Sequence, residues 1–422
     1  MNHFELRQGA LHCEDVSLAD IADAVGTPCY VYSTATLERH FHVFRGALAG
    51  AGLGEPLIAF AVKANSNLSV LKTLAALGAG ADTVSEGEIR RALAAGVPAG
   101  RIVFSGVGKT EGELAFALAA GVRQINVESA DELALLSRLA GEVGARPAVA
   151  LRVNPDIGAG GHAKITTGAA QSKFGVSLAE AQGLYARAAR DPHVNMVGLA
   201  CHIGSQITDL QPLEQAFSRL RALMLSLRAG GCRVERLDLG GGLGVPYFNQ
   251  PDPPDPEAFA VMVGRVLGGV EAELAFEPGR VLAANAGVLL TRVIRIHERS
   301  EGPRFLILDA AMNDLLRPAM YDAWHDLRPV TPRPGAPLSY DIVGPVCETG
   351  DTFARARSLP PMQAGDLAAF FSSGAYGAVM ASEYNSRPLV PEVLVKGADF
   401  AVVRPRPSYA AMLAREPLAP WL

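Results

Sequence analysis

The stretch LIAFAVKANSNLSVLKTLAALGAGADTVSEGEIRRALAAG, Leu57–Gly96, decides the fold. A short apolar run, Leu57–Lys63, gives way to a stretch of helical periodicity, Leu68–Leu77. A second run, Asp82–Ser85, is followed by a second such stretch, Glu86–Ala95. Gly78 and Gly96 stand where a left-handed helix C-cap is wanted. Further along, the alternation continues. Strands are expected at Ile102–Ser105, Gln124–Glu128, Ala148–Val153, Met196–His202, Arg236–Leu239 and Leu274–Glu277. Helices are expected between them, such as Glu111–Ala120 and Leu213–Leu227, with cap glycines at Gly121 and Gly230. Continuous apolar strands alternating with helices require a parallel sheet covered on its outer face. Eight such units over about 225 residues predict a closed (β/α)8 TIM barrel. The competing reading is an open doubly wound sheet, but its usual G-x-G-x-x-G fingerprint is absent after the first strand.

After Arg280 the texture changes. Gly287–His297, Arg304–Asp309, Leu338–Val343, Leu367–Ser372 and Pro391–Val403 read as strands with Pro/Gly-rich connections, and Pro329–Pro337 as a loop. This predicts a second, mostly β domain, sandwich- or barrel-like, completed by an N-terminal strand around Cys29–Tyr32. The expected division is 1–37 packing with the β domain, 38–285 as the barrel, and 286–422 as the β domain.

Composition narrows the function. The chain has 422 residues, 49% hydrophobic and 19% charged, which excludes a disordered or acidic-tail protein. Lys+Arg number 38 against 43 Asp+Glu, a net charge of −5, so the basic footprint of a nucleic-acid binder is missing. The uncharged run Leu367–Ser382 is too short for a bilayer and is broken by serines and glycines. Met1–Glu5 shows no basic stretch leading into an apolar run, so no secretory signal is expected. Cys13, Cys29, Cys201, Cys232 and Cys347 are odd in number and form no C-x-x-C pair, which argues against a disulfide framework and a structural zinc. The expectation is a cytoplasmic protein with no nucleic-acid, membrane or metal partner.

Chemistry in such a barrel gathers at the C-terminal ends of the strands. Those ends carry Lys63, Ser85, Ser105-Gly106, Glu128, Arg152 to Asn154, His202, Gly240-Gly241-Gly242, and Glu277 with Arg280. A lysine buried at a strand end loses basicity and can attack a carbonyl to hold a Schiff base; the bland reading is a snorkelling side chain. A glycine run after a strand lets the backbone approach a phosphate, or is simply a tight turn. His202 is either a core residue or a flat partner for a flat heterocycle, and no second ligand at metal spacing accompanies it. Glu277 could hold a pyridinium proton and Arg280 could grip a carboxylate; alternatively they form a surface pair in a turn. Gly106-Val107-Gly108-Lys109-Thr110 suggests a Walker A loop, but Val103 stands where that motif needs glycine.

Ala61-Val62-Lys63-Ala64-Asn65-Ser66-Asn67, His202-Ile203-Gly204-Ser205-Gln206, Leu237-Asp238-Leu239-Gly240-Gly241-Gly242 and Glu277-Pro278-Gly279-Arg280 resemble the fold-type III pyridoxal-phosphate decarboxylases. So do Arg317-Pro318-Ala319-Met320-Tyr321, Cys347-Glu348-Thr349-Gly350-Asp351 and Gly374-Ala375-Tyr376-Gly377, and the resemblance runs over nearly the whole chain in order. It implies pyridoxal 5'-phosphate held by Lys63, with His202 stacked on its ring and Glu277 at its ring nitrogen. Ser205, Gly241, Gly242, Gly279 and Arg280 would lie about the phosphate and substrate, with Tyr376 near both. Arg280, Arg317 and Tyr321 would hold the substrate's far carboxylate, and Glu348 its far amine. Cys347 would donate the proton, supplied with Glu348 from the partner of a homodimer with shared active sites.

Two arginines and one acid suit a far group bearing both carboxylate and amine. The resemblance accordingly implies decarboxylation of meso-2,6-diaminopimelate to L-lysine and CO2. The rivals are a related decarboxylase for ornithine, arginine or carboxynorspermidine, an alanine-racemase-like enzyme, and a non-catalytic cofactor carrier. Two positions depart from the family pattern. Glu86 replaces a glycine, which adds charge near the mouth and leaves the loop shape open, and Thr349 replaces a serine.

Overall fold

The computed structural model describes residues 2–158, 167–169, 171–247 and 252–422. The eight expected barrel strands run Leu57–Ala61, Gly80–Thr83, Ile102–Phe104, Gln124–Val127, Ala148–Asn154, Asn195–Ala200, Arg236–Asp238 and Glu273–Phe276. Each pairs in parallel with the next, and the eighth returns to the first through Ala275 opposite Leu57 and Phe276 opposite Ile58. That closure rules out the open sheet. Leu57, Ala59 and Val103, with Ala275 against them, form an apolar cluster of mostly small side chains.

The helices begin where their caps dictate. Ser85 accepts from the Glu88 N–H, and Thr110 with Glu113 and Ser177 with Glu180 form reciprocal capping boxes. At the C-termini Gly78, Gly96 and Gly121 take positive φ as expected. Gly230 does not: its φ is −80°, the helix runs Gln211–Ala229, and the positive-φ residue is Gly231 at +81°. The sequence offers two adjacent glycines there, and the helix reaches two residues further than its apolar face suggests. Lys63 also differs from expectation. The first strand stops at Ala61, and the lysine sits on a single 3-10 turn, Val62–Ala64.

The chain forms two compact units. One holds Glu38–Pro246 and the chain up to Leu282; the other holds the N-terminal stretch to Leu37, Tyr247, and Ala283–Leu422. In the second unit the strand Cys29–Ser33 lies antiparallel to Gly287–Glu298 and parallel to Glu392–Lys396. The sheet continues through Arg304–Leu308, Leu338–Val343 and Thr352–Leu359 on one side and Asp399–Arg404 on the other. Leu367–Phe370 pairs with both Gly287–Glu298 and Leu327–Pro329. The single run expected at Pro391–Val403 is a hairpin that turns at Gly397, whose φ is +58°. Thr352–Leu359 escapes sequence reading because Arg355 and Arg357 interrupt its apolar character. Phe4, Leu11, Ile21, Val31, Val288 and Val393 anchor the core of this unit.

Candidate active site

At the C-terminal end of the barrel the side chains form a polar layer that the sequence hides. Gln124, Asn126 and Glu128 share one face of the fourth strand by their spacing of two. The Gln124 amide donates to Asn126 Oδ1 (2.8 Å), and Asn126 Nδ2 donates to Ser105 Oγ (3.1 Å) and Asp238 Oδ2 (3.0 Å). Ser105 Oγ reaches Glu277 Oε1 at 3.5 Å, and Asp238 Oδ1 accepts the Gly240 N–H at 3.1 Å. Burial, and then the charges of Asp238 and Asp82, push the Glu277 carboxyl well above the usual range. Burial raises Asp238 as well. Burial and these charges both bias the Glu277 carboxyl toward its protonated form, against the pull of Lys63 and Arg152.

Two lysines compete for the role of nucleophile, and geometry separates them. Lys109 is buried, with its ammonium donating to Gly106 O (2.7 Å), Asn126 O (2.6 Å) and Glu132 (2.6 Å). All three of its protons are committed. Lys63 Nζ donates to Asp82 at 2.6 Å, and its side chain is 33% exposed where that of Asp82 is 0% exposed. Lys63 is thus a solvent-reachable amine oriented from below by a buried carboxylate. The expectation of a desolvated, unpaired ammonium is corrected: Asp82 arrives from the neighbouring strand and supplies the counter-charge. One oxygen of that carboxylate, Oδ1, is buried without a hydrogen-bond partner.

The glycine run is stitched between neighbouring loops. Glu277 N–H donates to Gly240 O (2.7 Å), and Ile207 N–H donates to Gly242 O (2.9 Å). A Cβ on Gly241 would stand 2.2 Å from the Glu277 carbonyl oxygen, and one on Gly242, whose φ is +121°, would stand 2.7 Å from Gly204 O. Glycine is required here because the backbones themselves are in contact. His202 Nδ1 accepts the Gly241 N–H at 3.1 Å, which fixes that nitrogen as unprotonated. Burial, with Lys63 and Arg152 nearby, holds the imidazole well below its ordinary pKa, so it is a neutral ring. Arg280 donates through Nε (3.3 Å) and Nη2 (3.0 Å) to Ser205 Oγ, and Gly279 precedes it in the same turn.

The structure therefore brings Lys63, His202, Ser205, Gly241, Gly242, Glu277, Gly279 and Arg280 to one end of the barrel. Glu128 and Arg152, also read at strand ends, pair with each other at 2.8 Å, and Glu128 further accepts the N–H groups of Gly106 and Gly175. They brace the wall. Glu86 opens its helix with its carboxylate 2.6 Å from Arg90, so its charge is matched locally and Ser85 keeps an ordinary N-cap.

Glu88, whose carboxyl feels the charge of Lys63, is pushed up to about 7 by burial, against a bond from the Val84 N–H. A carboxyl raised in the folded state stabilises most below its unfolded pKa and loses that contribution as pH climbs through about 7. Glu88→Gln is expected to flatten the fall in urea midpoint between pH 5 and pH 8; an unchanged slope would contradict this.

Arg317, Tyr321, Cys347, Glu348 and Tyr376 belong to the β unit. Arg317 is buried, with Nη1 donating to Tyr247 Oη (3.0 Å) and lying 2.9 Å from His325 Nε2. Tyr321 closes the short helix Arg317–Tyr321. Cys347 is exposed, its N–H donating to Asn385 Oδ1 at 3.1 Å. Glu348 is exposed and hydrogen-bonded to Tyr384, whose phenol pKa it raises. The Thr349 carbonyl accepts from the Thr352 hydroxyl at 3.1 Å, a main-chain contact indifferent to the Ser-to-Thr departure. Tyr376 has a φ of +56°, a left-handed conformation uncommon for an aromatic residue.

The reachable amine, the neutral ring, the glycine cradle and the buried acid fit a phosphorylated pyridine aldehyde. The model of the pyridoxal-dependent decarboxylase pyridoxal-binding domain matches residues 34–284, and the chain belongs to the pyridoxal-dependent decarboxylases, with pyridoxal phosphate as cofactor. Full-length likeness narrows that membership to the diaminopimelate decarboxylase family. A protein of that name from Zymomonas mobilis is 52% identical over 420 residues, 99% of each chain. A diaminopimelate decarboxylase from M. jannaschii, solved in co-complex with L-lysine, is 34% identical, superposes with a TM-score of 0.94 and is covered completely, as is this chain. A lysine/ornithine decarboxylase from Vibrio vulnificus, 23% identical with a TM-score of 0.79 over 90% of this chain and 97% of its own, shares the fold.

The sequence reading missed Asp82, Asn126, Asp238, Tyr247 and His325. Asp82 and Asp238 were detectable as lone acids inside apolar strands. The others carry no local signal. Among the described residues no group of three His, Cys, Asp or Glu side chains could hold a metal, and no helix is long and apolar enough to cross a membrane.

Proposed function

We propose that these residues carry out the pyridoxal-phosphate-dependent decarboxylation of meso-2,6-diaminopimelate to L-lysine and CO2, a carboxy-lyase step of lysine biosynthesis, in the cytoplasm. The observation that carries this reading is the convergence of Lys63, His202 and the buried Glu277 beneath the glycine cradle, in a chain alike to diaminopimelate decarboxylases along its whole length. When bound, the cofactor supplies an electron sink for the pair left by departing CO2.

The protein's part is binding, orientation and proton placement. Lys63 holds the cofactor covalently, and Asp82 fixes its amine and takes up positive charge beside it. Glu277 would face the ring nitrogen, where one proton held between carboxyl and nitrogen would place positive charge on the ring and negative charge on the carboxylate, each stabilising the other. Neutral His202 covers the ring face without adding a competing cation. Main-chain groups around Ser205, Gly241, Gly242 and Gly279 receive the phosphate. Arg280, Arg317 and Tyr321 take the far carboxylate of the substrate, Glu348 its far amine, and Tyr376 borders both cofactor and substrate.

Cys347 would supply the proton that takes the place of CO2 on the α-carbon, its thiol then being reprotonated from water. Its exposure within its own unit, and that of Glu348, support a homodimer in which each site draws these two residues from the partner. Mixing inactive Lys63→Ala with inactive Cys347→Ala is expected to restore up to about one quarter of wild-type activity, because random pairing leaves one intact site in the heterodimer. No recovery after demonstrated subunit exchange would argue for self-contained sites. The activity itself is tested by CO2 release: meso-diaminopimelate should be turned over and ornithine not, and the reverse would reject the reading.

A further inference from the structure

We propose that His325 is a positioning residue for substrate recognition: it locks the guanidinium of Arg317 in the orientation that receives the substrate's far carboxylate. The proposal rests on the role assigned to Arg317 above. His325 is 2% exposed, lies beyond the helix that carries Arg317 and belongs to none of the motifs discussed so far.

Its two ring nitrogens have different partners. Nδ1 lies 2.9 Å from the Phe371 carbonyl oxygen, an acceptor, so Nδ1 carries the proton. Nε2 is then a lone-pair acceptor, and it lies 2.9 Å from Arg317 Nη1, which can only donate. The main chain of Phe371 thus selects the tautomer, and the tautomer accepts the arginine.

Nη1 gives its second proton to Tyr247 Oη at 3.0 Å, and the Tyr247 ring packs edge-on against His325 with centroids 5.9 Å apart. Arg357 Nη1 donates to the His325 carbonyl at 3.0 Å, which pins the main chain behind the ring. A guanidinium held through both hydrogens of one nitrogen cannot rotate in its plane. Arginine otherwise loses much rotamer freedom in any contact, and removing that freedom in advance favours binding.

The test uses the holoenzyme. His325→Phe keeps the ring's bulk and its edge contact but removes both nitrogens. KM for diaminopimelate is expected to rise roughly ten- to a hundredfold, the scale of a buried bond to a charged group, while kcat changes less than about threefold. The visible band of the bound cofactor should stay unaltered. His325→Gln, which restores an amide acceptor, should recover most of the lost affinity. Tyr247→Phe, which removes the other acceptor alone, should raise KM several-fold and carries the test if His325→Phe does not fold. A KM within twofold of wild type in a folded His325→Phe or Tyr247→Phe protein would overturn the proposal. So would a kcat loss without a KM change, or no rescue by glutamine. Arg317→Ala separates the two levels. If it leaves KM unchanged, the assignment of Arg317 fails; if it raises KM while His325→Phe does not, the positioning role alone fails.

Discussion

Lys63→Ala is expected to abolish the visible cofactor band and to lower decarboxylation by at least about a thousandfold, the scale seen when a covalent catalyst is removed and binding alone remains. The barrel should still fold. Asp82 loses its counter-charge, so a loss of stability short of unfolding is expected. Lys63→Arg sharpens the test. A guanidinium preserves the ion pair with Asp82 but cannot link to an aldehyde, so stability should be restored and activity should not. Activity retained in either variant, measured as CO2 release alongside the absorption spectrum, would remove Lys63 from the reaction.

Arg317→Ala is expected to raise KM for meso-diaminopimelate by roughly a hundredfold or more while the cofactor stays bound. Truncation deletes a charged contact to a carboxylate and leaves Tyr247 and His325 with unanswered polar groups in a buried setting. Arg317 is not among the residues proposed to hold the cofactor, so the spectrum of the resting enzyme should be unaffected. Steady-state kinetics and a spectrum on the same preparation check both halves. Unchanged kinetics would reject the assignment of the far carboxylate to this arginine.

The barrel is legible in the sequence because each strand is a brief apolar run set against an amphipathic helix, and because Gly78, Gly96 and Gly121 mark where helices stop. Strand-end chemistry is legible for the same reason: once eight strands are counted, Lys63, His202, Gly240-Gly241-Gly242 and Glu277 must share a mouth. The polar layer beneath them is harder to see. Asp82, Asn126 and Asp238 each occur once in an otherwise ordinary strand, and closure of the sheet alone brings their side chains together. Their presence changes the chemistry, since burial together with the charges of Asp238 and Asp82 raises the Glu277 carboxyl well above its usual range. His325 and Tyr247 are less visible still. They are 78 residues apart in sequence, and only the fold brings them together around Arg317. Thr352–Leu359 is not legible because Arg355 and Arg357 break the apolar run by which strands are recognised.

The account stands or falls on which amine carries the cofactor. The Lys63 side chain is 33% exposed and paired with Asp82, whereas the Lys109 side chain is 0% exposed and its ammonium donates to three acceptors. Peptide mapping by mass spectrometry after borohydride reduction of the holoprotein should place a single phosphopyridoxyl adduct on Lys63. An adduct on Lys109 or elsewhere, or none in a reconstituted and active preparation, would contradict it.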